Sequence, residues 1–194
     1  MILPSRRGRT HKKLEMKSKS SRTGRLRILA ICGVAAVLVA LGTSPSSSNL
    51  LGQVGLFIAG LLAGAFSVGL IYEGDTLSYL VGGAFALVAA IGLFSEGIFP
   101  GTSLLSDAVF ALAAVIAALL VGGALLDTSH WKVGALSLAL GVIALALAYR
   151  PLYLGGFAGT GRNVAIALWF ILLAIRMFVR APLHVDAHEV TPRV

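Results

Sequence analysis

Apolar positions in this chain neither alternate nor recur at every third or fourth place. They form long, nearly continuous blocks at 28–42, 50–72, 77–94, 104–126, 133–149 and 163–179, and each break between them holds charge, glycine or proline. About 20 residues of helix cross a hydrocarbon core. In that medium only helices and closed barrels satisfy their own backbone groups, and barrel strands alternate in polarity. The pattern therefore predicts an all-α protein, a polytopic transmembrane helix bundle with six membrane-spanning helices at about 27–43, 50–72, 77–95, 104–126, 132–149 and 163–180. A tail of residues 1–26 precedes the bundle and a short tail of residues 181–194 follows it.

The first run is the shortest. With Leu26 and Thr43 included it reaches only the lower limit of about 17 residues for a span. Ala40-Leu41-Gly42 also offers small residues at cleavage-like spacing, so a signal peptide is the competing reading. The basic region ahead of it is long for a signal peptide, which favours a retained helix; cleavage would leave five helices and an outer N-terminus.

Composition agrees with the blocks: 57% of the 194 residues are hydrophobic and 12% are charged. Soluble domains carry about 25% charged residues, so too little polar surface is left for a water-facing fold. The net charge of +8 belongs to one tail, because ten of the sixteen basic residues lie from Arg6 to Arg27 and only Glu15 opposes them. That tail reads as a disordered segment facing anionic lipid headgroups, where each Lys or Arg contributes about 1 kcal/mol, or as a topogenic signal. It lacks the interleaved aromatics of a base-stacking surface, so nucleic acid is not an expected partner. Lys132, Arg176, Arg180 and Arg193 fall on the side of the tail, and only Arg150 and Arg162 on the other. The positive-inside rule then places both termini in the cytoplasm of a multi-pass cell-membrane protein.

Helices in lipid associate through small residues that let backbones approach. Gly60, Ala63, Gly64 and Ser67 share one face of the second run, with Gly60 and Gly64 forming a GxxxG pair. Gly134, Ser137, Gly141, Ala144 and Ala148 line the fifth, and Ala111, Ala114 and Ala118 the fourth. Such stripes serve packing within one chain or between chains equally. The sixth run, with Trp169, Phe170, Ile171 and Leu172, is bulkier and is expected to face lipid in part. Phe85–Ile91 and Phe110–Ile116 look alike, a similarity expected of a restricted apolar alphabet.

Chemistry-bearing residues are scarce. No Asp, Glu, His or Lys sits at mid-depth in any run, and Arg176, one turn from the end of the last, is expected to snorkel to the headgroups. Cys32 is the lone cysteine, a small apolar filler that permits no intramolecular disulfide. His184-x-Asp186-x-His188-Glu189 has ligand types but lies between Pro182 and Pro192 in a tail, so no metal site is expected. The segment from Leu154 to Arg162 has the glycines of a phosphate loop without its Lys-Ser/Thr, and reads as a flexible turn. One polar set remains: Glu96, Asp107, Arg150 and Arg162 fall at the outer ends of helices and are positioned to pair or to hold a headgroup or solute.

The chain resembles the membrane family catalogued as "domain of unknown function 998". The resemblance rests on Gly97-Ile98-Phe99-Pro100 after the third run and on Gly161-Arg162 ahead of a Trp-containing last helix, Trp169 to Arg176, and it covers about residues 50–180. It implies a six-helix membrane protein and no established activity. Where that family tends to place an acid and then a histidine after Phe-Pro, this chain has Gly101-Thr102-Ser103 and Ser106-Asp107. The expectation from sequence is a non-enzymatic packing or accessory subunit or homo-oligomer, without a cofactor. The alternative is a small transporter or lipid-handling protein with its polar site at the outer face.

Overall fold

A computed structural model describes residues 7–42, 50–99, 103–128, 130–148 and 156–180. Among the described residues it contains six helices and no strand: α1 (Arg7–Gly42), α2 (Leu50–Glu73), α3 (Leu77–Ile98), α4 (Ser103–Leu126), α5 (Trp131–Ala148) and α6 (Gly156–Arg180). Each carries an apolar stretch of 18 to 24 residues, long enough to cross a membrane. Six crossings return the chain to the side from which it started.

Every helix packs on its neighbours in sequence, and α6 closes the ring by packing on both α1 and α5. Short connections set this order. Three residues separate α2 from α3, where Thr76 caps α3 by accepting the Tyr79 N–H at 3.3 Å. Thr128 closes α4, donating its hydroxyl to the Leu125 carbonyl at 2.8 Å, and its oxygen also receives the His130 N–H at 3.2 Å. That turn hands the chain directly into α5, whose first amides bond to the His130 carbonyl.

The small-residue stripes are spent inside this ring. A methyl at Gly60 would lie 2.6 Å from the Phe94 backbone nitrogen, so α2 and α3 touch backbone to backbone there. Gly97 makes the reciprocal approach to Phe57 and Gln53. Gly134 is as tight against Gly122 and Leu126 of α4, while Gly141 abuts Ala118 and Leu119. Ala111, Ala114 and Ala118 are buried, as are Ser67 and Ser137. Gly64 is looser, with only ordinary contact to Leu87 and Ala90.

Three expectations need correction. The basic stretch, read as irregular, is helical from Arg7 onward. A helix already nucleated in the membrane extends at the favourable cost of propagation alone, and residues 7–27 contain no proline to stop it. The glycine-containing segment before the last span is likewise helical from Gly156. Finally, Trp169 is 1% exposed and Phe170 is buried; only Ile171 and Leu172 are half-buried. The large rings fill the centre that the small-residue stripes leave open. Phe170 tilts against Phe66 of α2, with centroids 5.3 Å apart, and the Trp169 edge meets Phe170 at 5.1 Å. The last helix does face outward in part, as expected, but through Val164, Leu168, Ile175, Phe178 and Val179.

Candidate functional site

Ser67, Ser137 and Trp169, buried within the apolar layer, bond to their own chain. Ser67 donates to the Ala63 carbonyl at 2.8 Å. Trp169 donates its indole N–H to the Ser137 hydroxyl at 2.7 Å, and Ser137 donates onward to the Ala118 carbonyl at 3.0 Å. This relay ties α6, α5 and α4 together at the core. Its members have no hydrogen-bonding capacity aimed at a ligand, and packing accounts for them.

Charge collects at the two ends of the bundle. At the end where α3 finishes and α4 and α6 begin, Arg162 donates to Asp107 at 2.6 Å, joining α6 to α4. Arg162 is mostly buried, whereas Asp107 is half exposed. The guanidinium also contacts the Asn163 side-chain oxygen at 3.1 and 3.2 Å. Glu96 on the last turns of α3 lies close enough to feel both Asp107 and Arg162 electrostatically. Three of the four residues singled out from sequence thus converge; Arg150 lies outside the described residues.

The opposite end carries a larger cluster. Arg176 of α6 donates from one nitrogen, Nη1, to Glu73 Oε1 and to Tyr79 Oη, both at 2.8 Å. Tyr79 donates to Glu73 Oε2 at 3.3 Å, and the Arg176 guanidinium lies 5.6 Å from the Tyr79 ring centroid. Arg180, one turn later, reaches the same Oε1 at 3.3 Å and donates its Nε–H to His130 Nε2 at 3.0 Å. The side chains of Arg176 and Glu73 are 5% and 8% exposed, against 40% for Arg180. Arg176 is therefore not a snorkelling residue. It turns inward because Glu73 and Tyr79 offer it two acceptors at the bundle end. Partial desolvation and the Arg180 and Arg176 guanidiniums hold the His130 imidazole below its ordinary value, against the opposing pull of Glu73.

Sequence reasoning missed this cluster. Its members lie on α2, α3, the α4–α5 turn and α6, and no local spacing links them. The available signal was topological: an even number of crossings brings residues 73–79, 130 and 176–180 to one end.

No protein-family profile matches the chain, and no curated protein or solved structure shows significant similarity to it. Among the described residues no three His, Cys, Asp or Glu side chains converge as metal ligands, and the His184/His188 segment lies outside those residues.

Proposed function

We propose that this integral membrane protein is a non-enzymatic, self-contained lipid-handling bundle that works against an anionic lipid surface. The observation that carries the reading is the course of α1. It is one unbroken helix, and it leads the basic stretch out of the same bundle end that holds Lys132, Arg176 and Arg180. Arg25, Arg27, Lys132, Arg176 and Arg180 stand at that end, with Glu73, Asp75 and Asp127 as the acids; at the other end Arg162 stands against Glu96 and Asp107. By the positive-inside rule the basic end, and with it both tails, is cytoplasmic in a cell membrane. Charges attract anionic headgroups within about a Debye length, 8–10 Å. Lys19, Arg22, Arg25 and Arg27, nearest the apolar run, are therefore the residues that act on lipid.

The accessory-subunit or homo-oligomer reading draws less support. Gly60, Gly134, Ser137 and Gly141, which would have carried it, face other helices of the same chain. Membership of the family "domain of unknown function 998" is kept as a proposal on the residues already quoted; the six-helix count agrees with it.

The test reconstitutes the full chain into equimolar phosphatidylglycerol and phosphatidylcholine, and measures which lipid co-purifies after gentle extraction. Enrichment of the anionic lipid that fades with added salt and is reduced in a Lys19→Gln/Arg22→Gln/Arg25→Gln variant is expected. A bulk-like lipid ratio in the native chain overturns the reading.

A further inference from the structure

We infer that the Glu73–Tyr79–Arg176–Arg180–His130 cluster is a binding site for one phosphate-bearing anion, with Arg180 its outer contact. The inference rests on the lipid-surface reading above but assigns a discrete site rather than a diffuse attraction.

A clasp between α2 and α6 needs one guanidinium, yet two converge on Glu73 Oε1. His130 accepts from Arg180 at Nε2, so the imidazole is neutral there and adds no negative charge. The cluster therefore carries one uncompensated positive charge. Arg176 and Arg180, at i and i+4 on one helix, repel each other when nothing offsets that excess.

Donors also outnumber acceptors. Glu73 already receives the two guanidiniums on Oε1 and the Tyr79 hydroxyl on Oε2. Even so, Arg176 Nε is buried without a hydrogen-bond acceptor. A phosphate supplies several acceptor oxygens, and the planar guanidinium fork matches its geometry with two parallel hydrogen bonds.

The surroundings fit such a ligand at the membrane boundary. Arg180 is 40% exposed at the rim while Arg176 forms the floor. The Arg27 guanidinium lies 5.6 Å from the Phe178 ring centroid beside the same turn of α6, adding positive field. Exposed Ile175 and Val179 offer apolar surface for an acyl chain below the headgroup. Exposed Trp131, with the Lys132 ammonium 5.9 Å from its ring centroid, marks the interfacial level at this end.

The ligand chemistry has two sources, a lipid headgroup and a soluble phosphate, and the experiment separates them. The full chain in neutral detergent is titrated with short-chain phosphatidylglycerol, with phosphatidylcholine and with inorganic phosphate, and one-to-one complexes are read by native mass spectrometry. Saturable binding of a single phosphatidylglycerol is expected, weakened at least about tenfold in Arg180→Gln, which loses a charge-assisted contact. Glu73→Gln removes the competing carboxylate charge and is expected to tighten binding, although it weakens the fold; a purely structural clasp predicts only the weakening. Arg180-dependent binding of inorganic phosphate supports the site and assigns it to a soluble anion. Absence of Arg180-dependent binding for both anions overturns the proposal. A Lys19→Gln/Arg22→Gln/Arg25→Gln variant that keeps the single-lipid complex but loses bulk anionic enrichment shows that the two readings stand or fall separately.

Discussion

Arg176 and Glu73 stand 103 positions apart in the chain, yet their side chains meet at 2.8 Å and join the end of α6 to the end of α2. Both are almost fully enclosed, and without Arg176 the Glu73 carboxylate keeps only the more exposed Arg180, at 3.3 Å. Removing one partner of such a pair costs about 3–5 kcal/mol, whereas replacing both with apolar side chains is often close to neutral. Arg176→Gln is therefore expected to lower the unfolding midpoint in mixed detergent strongly, and Glu73→Leu/Arg176→Met to restore most of it. A double variant as unstable as the single one would contradict this account.

The backbone contacts at glycine predict a steric contrast. Gly60→Ala drives a methyl against the Phe94 backbone, which has no side-chain freedom with which to yield. Overpacking of this kind costs about 1–3 kcal/mol. Gly123→Ala meets nothing within 4 Å and sits within α4, so it is expected to be neutral or slightly stabilising. Unfolding curves of the two variants side by side decide the matter.

Two tryptophans report on packing independently. Trp131 is 58% exposed and Trp169 is 1% exposed with its N–H bonded to Ser137. In the Trp131→Phe variant a water-soluble quencher is expected to leave nearly all fluorescence intact. Ser137→Ala strands the indole N–H and is expected to cost about 1–3 kcal/mol. Strong quenching of the Trp131→Phe variant would place Trp169 outside the core.

Proton linkage at His130 has a definite sign. Its imidazole titrates below the ordinary value in the folded chain, with desolvation the leading cause and the Arg180 and Arg176 charges adding to it. Between its folded and unfolded values the unfolded chain binds more protons, so this contribution is fully present above about pH 6.5 and is lost as the pH falls toward the folded value. Protonation also removes the acceptor that Arg180 uses. His130→Gln is expected to flatten the fall in stability with acid below neutrality; an unchanged slope would assign that fall to other groups.

The architecture was legible from sequence where bilayer physics acts locally. The spans of α2 to α5 follow the apolar runs to within a few residues, because hydrocarbon length and loop polarity leave little latitude. Asp107 and Arg162 were visible as a set because both sit at helix starts on one side. The cluster around Arg176 was not. A lone arginine near a helix end looks the same whether it reaches headgroups or an acid on a distant helix, and only the assembled ring distinguishes them. Trp169 escaped for a related reason: bulk suggests lipid, but its single N–H finds a partner only inside, at Ser137.

Closure of the ring by α6 also sets an order of events at the ribosome. Until α6 is made, the flank of α1 and the aromatic face around Phe66 lack the cover it gives, and Glu73 lacks Arg176 and Arg180. A nascent chain arrested after α5 thus displays an unmatched carboxylate at the membrane boundary beside an open seam.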